Sequence, residues 1–542
     1  MRATSIGHAG LLIETAAGSI LCDPWFVPAF FGSWFVFPRN DQLPADLQER
    51  IEQADYLYVS HLHGDHHDEP WLREHLRRDI PILLPGYPSR EQQRTLERLG
   101  FTNFMRTVDA EELELAPGLT VAIHVETSIT DGPGGDSALV VSAAEAGATT
   151  RIVNQNDCRT TDLAALRRHG PVDLHWLQHS GAIWYPMVYE LPAGELARLA
   201  AAKVDSQLTR AMRYVEAVDA RAVVPSAGPP VFLDDELFHL NVIRGDEPSI
   251  FPDQRAFLEQ VAAAGRTGLL NIPGTAIDVT PEAITVTHPL PDEQVTAIFT
   301  DKHAYLRRYQ ADWKQWLADE RATWGAAPGT DLLATLKGWW EPLLRMAPTL
   351  RNAVAGNCRF TATGTGPDPH TNQDVDLVID FPAGEVRPFA GEQYDFSFSI
   401  ARELVETVAA RRAVDWSNSL FLSCRFTAWR AGDFNEYLYN FFKSLSVERM
   451  RRAEAEAVRK LDPPTETEPD IEIGDPPNRY VVQRRCPHRN ADLSVFGELD
   501  PAATSTSGTD ELVCTLHGWR FDCATGRCLT ATDRPLRIRR AD

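Results

Sequence analysis

No apolar run in this 542-residue chain approaches the ~20 residues needed to cross a bilayer. The opening stretch, MRATSIGHAGLLIETAAGSI, lacks a charged region followed by an apolar core. No signal peptide is therefore expected, and a cytoplasmic location is. Positive charge is also short: 53 Lys and Arg stand against 76 Asp and Glu, a net charge of −23. Such a surface repels phosphate polymers and anionic lipid, so neither a nucleic-acid nor a membrane partner is expected. It favours a basic redox partner, and one local Arg/Lys pocket would still suffice for a small anionic substrate. Cysteine is sparse, at eight residues: Cys22, Cys158, Cys358, Cys424, Cys486, Cys514, Cys523 and Cys528. A disulfide framework belongs to small secreted chains and is excluded here. Four of the eight crowd near the C-terminal end, which points to metal or redox chemistry.

What is present divides the chain. Single cores stop growing near ~250–300 residues, so several domains are expected. Residues 1–300 alternate strand patterns (ATSIGHAGLLIE, DYLYVS, PILLPG, LTVAIHVE, TRIVNQND) with helical ones (WLREHLRRD, REQQRTLERLG), which predicts a layered α/β domain. Residues 301–460 change texture: a Trp-rich amphipathic helix, alternating strands such as DVDLVIDFP, and an aromatic then Arg-rich helix predict an α+β domain. Trp339, Trp340, Arg425 and Trp429 are candidates to shape a substrate pocket, although core packing is the expected role for most of them. Residues 461–477 are acidic and Pro-rich and read as a linker. Residues 478–542 form a small all-β domain with a limited core, which a metal centre would help hold together.

The last domain reads CPHRNADL from Cys486 and CTLHGWRFDCATGRC from Cys514. The pattern is Cys-x-His followed by Cys-x-x-His, and the expected ligands are Cys486, His488, Cys514 and His517. In a Rieske [2Fe–2S] centre two thiolates hold one iron and two imidazoles the other, which raises the potential above that of all-Cys clusters. A zinc ribbon also uses Cys and His, but its first pair is usually spaced C-x₂₋₄-C. HGWRFDCATG resembles the Rieske domains of ring-hydroxylating oxygenases. Cys523 and Cys528 read as bystanders.

Strand DYLYVS runs into HLHGDHHD, which supplies His61, His63, Asp65 and His66. HxHxDH after a strand is the signature of the metallo-β-lactamase superfamily, so an αββα sandwich is expected. His61 and His63 can converge on one metal, and Asp65 and His66 on a second. Asp157 in NQNDCR is the candidate bridging carboxylate. His, Asp and water suit Zn²⁺, iron and Mn²⁺ alike. The remaining ligands stay open among His124, Asp131 and His179, the last also readable as a substrate contact. His8 and His239 read as structural.

GHAGLLIE, CDPWFVPAFFGSWFVFP, YLYVSHLHGDHHDEP and NDCR resemble the CMP-N-acetylneuraminate hydroxylase family, as does SLFLSCRFTAWRAGDFNEYLYNFF. That family joins a metallo-β-lactamase-like domain to a Rieske domain, but its Rieske domain is N-terminal. The resemblance implies O₂-dependent hydroxylation with electrons relayed from a reductase. The leading reading is a Rieske-dependent non-haem iron monooxygenase acting on a small, anionic or neutral, molecule. Its cofactors would be the [2Fe–2S] cluster, one or two N-terminal Fe ions (Zn as the rival) and O₂ as co-substrate. Its donor would be a ferredoxin, a cytochrome b5-like protein or an NAD(P)H-dependent reductase. The rival is a metallohydrolase with a regulatory Rieske domain. A third reading, O₂ or NO reduction at a di-iron site, lacks a flavodoxin-like segment.

Overall fold

A computed structural model describes the chain apart from residues 128–134, 146, 161–164, 182, 242–247, 326, 328–329, 365–371, 433, 462–467, 488–491, 504, 506–507, 515–518, 530–534 and 542, and the side chains of 495 and 496. Asp131, His488 and His517 thus lie outside the described residues.

The chain opens with β1 (Arg2–Gly7), β2 (Gly10–Thr15), β3 (Gly18–Cys22), β4 (Tyr56–Tyr58), β5 (Ile82–Leu84) and β6 (Phe104–Arg106). A second sheet follows, with β7 (Glu112–Ala116), β8 (Leu119–Glu126), β9 (Asp136–Glu145), β10 (Ala148–Asn156), β11 (Leu174–Gln178) and β12 (Ala222–Ser226). β13 (Ala276–Val279) and β14 (Ile284–Thr287) return to the first sheet, whose order is β14-β13-β1-β2-β3-β4-β5-β6; the second runs β12-β11-β10-β9-β8-β7. The helices of this half are α1 (Ala45–Glu52), α2 (Glu69–His75), α3 (Glu91–Arg98), α4 (Ala193–Val218), α5 (Gln254–Ala263), α6 (Asp292–Thr300) and α7 (Lys302–Ala322).

Alternation along the strands builds three layers of core. Leu11, Ile13, Ile20 and Tyr58 of the first sheet meet Leu119, Val121, Ile123, Leu139 and Trp176 of the second. The opposite faces carry Leu12, Leu21, Leu57 and Val59 against Leu47, Ile51, Leu72 and Leu96 of α1 to α3. On the far side, Leu177 and Val223 pack on Leu208 and Val215 of α4 and Phe257 of α5. The four layers form an αββα sandwich, as expected. Each fully buried large apolar side chain in it contributes ~1.5–3 kcal/mol.

The boundary expected at residue 300 falls inside this packing. Leu306, Tyr309 and Leu317 of α7 bury against Phe35, Phe37 and Leu233 of the first half, so α7 belongs to it. The middle unit comprises α8 (Leu332–Met346), α9 (Pro348–Val354), β15 (Asn357–Thr363), β16 (Val375–Asp380), β17 (Glu385–Pro388), β18 (Phe396–Ala401), α10 (Arg402–Ala410), β19 (Phe426–Arg430), α11 (Glu436–Lys443) and α12 (Val447–Leu461). Its sheet order is β17-β16-β15-β18-β19. Trp340 is fully buried and Trp339 nearly so, both in one core with Trp416 and Phe442; Trp429 is exposed at 36%. Trp25, Phe30, Trp34 and Trp184 of the first unit enter the same core. Arg425 crosses this junction, its guanidinium donating to Asp234 at 3.0 Å and to Glu236. Arg449 of α12 likewise donates to Glu91 of the first unit at 3.1 Å and to Asp415 at 3.0 Å.

The C-terminal unit has two small sheets. β20 (Ile471–Ile473), β21 (Tyr480–Val482) and β25 (Ile538–Arg540) form one; β22 (Gly497–Asp500), β23 (Glu511–Cys514) and β24 (Trp519–Asp522) the other, with one short helix, α13 (Leu493–Phe496). Part of the stretch read as a linker is thus structured. Ile471 and Ile473 pair with Val482 and Tyr480, and Glu468 holds Arg485 through two bonds of 2.6 and 2.7 Å. The Ile-x-Ile alternation outweighs the acidic, Pro-rich context once a partner strand is present. Ala455 of α12 packs against this unit's core.

Candidate metal centre

The N-terminal site is built at the ends of neighbouring strands. β3 and β4 run parallel with Cys22 opposite Tyr58, so Asp23 and Ser60 leave the sheet side by side. Asp23 Oδ1 accepts from the Ser60 amide at 2.7 Å. The HLHGDHHD loop follows and closes on α2, which Asp68 caps by accepting from the Trp71 amide at 3.0 Å. The other Asp68 oxygen accepts from the amides of Phe26 and Val27, both at 2.8 Å, tying the loop to the segment after β3.

His61 and His63 lie together, with Nε2 of one 2.8 Å from Nδ1 of the other. One ligand atom each from His61, His63 and Asp157 falls within 4.8 Å of the others. A second such group is His8, Asp65 and His66. The two groups adjoin, with His66 Nε2 3.5 Å from Asp157 Oδ1 and 3.7 Å from Asp65 Oδ2. His8, read from sequence as structural, stands instead 2.9 Å from Asp65 through Nε2. The β1–β2 turn carries it there: His8 adopts φ 52° after Gly7 at φ 108°. A side chain on Gly7 would come within 2.6 Å of Val36 Cγ1, so only glycine fits. Ser226, which ends β12, and Ala227 after it donate to the His8 carbonyl at 3.2 and 3.1 Å.

Carboxylates stand behind two of the imidazoles. His66 Nδ1 is 3.2 Å from Asp23, and His61 Nδ1 is 3.3 Å from Asp136 and 3.0 Å from Ser60 Oγ. A ring held at Nδ1 by a carboxylate presents Nε2 to a metal. The donor set fits such an ion. His63 Nε2, Asp65 Oδ1, His66 Nε2 and Asp157 Oδ1 are buried without a hydrogen-bond partner. Each orphaned buried atom costs ~1–3 kcal/mol, a cost that coordination removes. Burial, then the neighbouring rings, hold His61 well below the ordinary imidazole range, which keeps it neutral. Burial opposes the charged form of His66, but Asp157 and Asp65 outweigh it and hold that ring well above. Burial likewise opposes the Asp65 carboxylate, yet His66 and His8 keep it below the usual range.

The other candidates stand apart. His124 shares the outer face of β8 with Ala122, away from the space between the sheets, and meets His169 at 2.9 Å. Alternation along a strand allows it no other face. His179 is buried, stacks on Phe257 at 5.6 Å and lies 3.3 Å from the Ser226 carbonyl; burial pushes it down to about 4. His239 is exposed on a short 3₁₀ helix, Phe238–Leu240. Asp23, Asp136 and His8 were missed from the sequence; only the Asp after a buried strand in LCDP gave a signal.

In the C-terminal unit, Cys486 and Cys514 are fully buried, and each opens a loop closed by strand pairing. An Arg485–Asp492 bridge closes the first, and the Cys514–Trp519 pair of β23 and β24 closes the second. His488 and His517 lie outside the described residues. Cys523 and Cys528 are buried and free of disulfides.

Comparison with known proteins divides the chain in the same way. Residues 473–537 match the Rieske [2Fe-2S] domain, at the C-terminal end, and 332–459 match the family described as Rv3818-like, SCP2-like domain. The whole chain is 44% identical over 548 aligned residues to Rv3818 of Mycobacterium tuberculosis H37Rv, whose name describes a Rieske 2Fe-2S iron–sulfur protein, covering 100% of both. The chain belongs to the Rv3818-like family of Rieske iron–sulfur proteins. The chain is also 37% identical, over 101 residues, to the cytidine monophosphate-N-acetylneuraminic acid hydroxylase of Danio rerio, covering 18% of this chain and 16% of that one. Among solved structures, an isothiocyanate hydrolase from Delia radicum gut bacteria aligns over 52% of this chain and 99% of that chain, at 17% identity and TM-score 0.35. CmlA, a diiron beta-hydroxylase from Streptomyces venezuelae, aligns over 53% and 54%, at 16% identity and TM-score 0.33. In the Rv3818-like chain no described helix is long and apolar enough to cross a membrane.

Proposed function

We propose that this protein is a Rieske-dependent non-haem iron monooxygenase, with the C-terminal cluster feeding electrons to iron in the N-terminal domain. The cluster ligands would be Cys486, His488, Cys514 and His517. Iron would be held by His61, His63 and Asp157, with a second ion at Asp65, His66 and His8. One observation carries the reading: a one-electron carrier domain shares a chain with a buried His/Asp centre that has room for two metals. Hydrolysis consumes no electrons and gains nothing from a tethered carrier.

Bound iron would supply the O₂ chemistry, inserting one oxygen atom into a C–H or N–H bond of a small substrate. The chain's own residues would position and shield. Asp23 and Asp136 orient the rings of His66 and His61. Trp25 packs edge-on against His8 at 4.8 Å and closes that side to water. Asp415 of the middle unit places its negative charge near His63, so that unit would form one wall of the site. The donor would be a ferredoxin, a cytochrome b5-like protein or an NAD(P)H-dependent reductase.

The test is metal content together with O₂ consumption, measured with reduced donor and candidate substrates. Iron in the N-terminal centre and substrate-stimulated O₂ uptake are expected. Zinc in that centre, with hydrolysis indifferent to the redox state of the cluster, would overturn the proposal in favour of a metallohydrolase.

A further inference from the structure

One face of α4 carries Lys203, Gln207, Arg210 and Tyr214, spaced by four, three and four residues, so they line up along the helix. This face looks onto the ends of β10 and β11. Tyr214 donates to the Thr160 carbonyl at 2.7 Å, and Arg210 Nη2 reaches Gln178 Oε1 at 3.5 Å. Arg159, two residues after Asp157, joins the same cluster: its charge acts on both Lys203 and Arg210. Among the described residues none of Arg159, Lys203 and Arg210 forms an ion pair. That is unexpected in a chain whose 76 carboxylates outnumber its cations. Like charges brought together and half removed from water repel, and such a cluster persists only where something compensates it. Burial and the two arginines depress the Lys203 ammonium; burial, then Arg159, brings Arg210 down to about 10.

Neutral groups beside the cluster are equally uncommitted. Gln207 is 1% exposed, and neither its Oε1 nor its Nε2 has a hydrogen-bond partner. The amide lies against Gly181, where a side-chain carbon would come within 2.7 Å of Nε2. Ser180 Oγ and His179 Nε2, just past the end of β11, are also buried without partners. Donors of this kind next to three cations that form no ion pair among the described residues fit a site built for an oxyanion. The Asp157 carboxylate acts on Arg210, so the site adjoins the metal centre.

We propose that Lys203, Gln207, Arg210, Arg159 and Ser180 bind the anionic group, phosphate or carboxylate, of this protein's substrate beside the metal centre. The word substrate rests on the oxygenase reading; the anion site itself does not. Two donors from Arg210 and one from Lys203 would anchor the group, and Gln207 and Ser180 would complete its hydrogen bonds.

The test is calorimetric titration of the full chain with inorganic phosphate and, separately, with malonate, without electron donor. One saturable site is expected for at least one anion; tighter phosphate marks a phosphoryl group, tighter malonate a carboxylate. Arg210→Gln and Lys203→Gln should each weaken binding about tenfold or more at unchanged metal content. Arg210→Lys, which keeps the charge, should lose less. The proposal is overturned if neither anion binds saturably, if both glutamine variants bind like the parent, or if affinity falls only in step with lost metal. Saturable binding in a chain that consumes no O₂ would leave the anion site standing and remove the oxygenase reading.

Discussion

The two candidate metal regions would hold their ligands by opposite means. In the N-terminal centre the candidate ligands lie at the ends of buried strands and are braced from behind, His66 by Asp23, His61 by Asp136 and Ser60, and His8 through its carbonyl by Ser226. The sandwich around them has its own extensive cores. In the C-terminal unit Cys486 and Cys514 sit on small sheets, and among the described residues the core holds eleven buried residues, both cysteines among them. A scaffold that size carries little stability of its own. The first site should therefore survive loss of its metal as a fold, while the second should depend on its cluster.

The largest effect tests that contrast. Cys486→Ser should abolish the Rieske absorption spectrum and turnover together, and leave the region after residue 470 open to protease while the first 460 residues stay resistant. A protease-resistant C-terminal unit without a cluster would break the contrast. His63→Ala should remove O₂-dependent turnover, keep the Rieske spectrum and leave the melting of the sandwich nearly unchanged. Asp23→Asn should act more mildly, because it loosens a ligand without deleting one. A metal affinity ~10–100-fold lower in competition with a chelator is expected, and an unchanged affinity would deny Asp23 its bracing role.

The next prediction concerns pH. His175 is buried, donates through Nε2 to Gln155 Oε1 at 2.8 Å, and burial pushes it down to about 3. In the unfolded chain an imidazole titrates near ~6.5. A group whose folded value is depressed binds its proton preferentially when unfolded, so stability present above pH ~6.5 is lost as pH falls toward 3. The slope for one such site is about 1.4 kcal/mol per pH unit. Urea denaturation between pH 7 and 4 should show this slope reduced in His175→Gln; an identical slope would reject the assignment. The smallest effect is expected for His124→Ala, which removes a contact to His169 on the outer face of β8. Metal affinity should not change.

Local spacing pointed to the loop of the N-terminal centre. HLHGDHHD concentrates four candidate ligands after a strand, and CPH with CTLH offers four candidate cluster ligands in a pattern that zinc sites rarely use, within the region that matches the Rieske domain. His8, Asp23 and Asp136 were not legible, because they reach the centre through sheet order. β1, β3 and β9 are distant in sequence, and only their placement in the two sheets brings their ends together. The middle unit read correctly as α+β with most of its Trp residues in the core. The packing of α7 across residue 300 and the strand Ile471–Ile473 within the stretch read as a linker escaped the sequence for one physical reason: both find their partners far along the chain. The cations of α4 were invisible as a site for the same reason, since Arg159 joins them only through the packing of α4 on β11.

The central claim is that electrons pass from the Rieske cluster to the N-terminal centre and on to O₂. It is tested most directly by reducing the cluster once, removing the reductant, adding oxygen with iron bound, and following recovery of the oxidised Rieske spectrum. Fast reoxidation in the parent chain and slow reoxidation in His63→Ala is the predicted result. Equal rates in the two proteins would contradict the account.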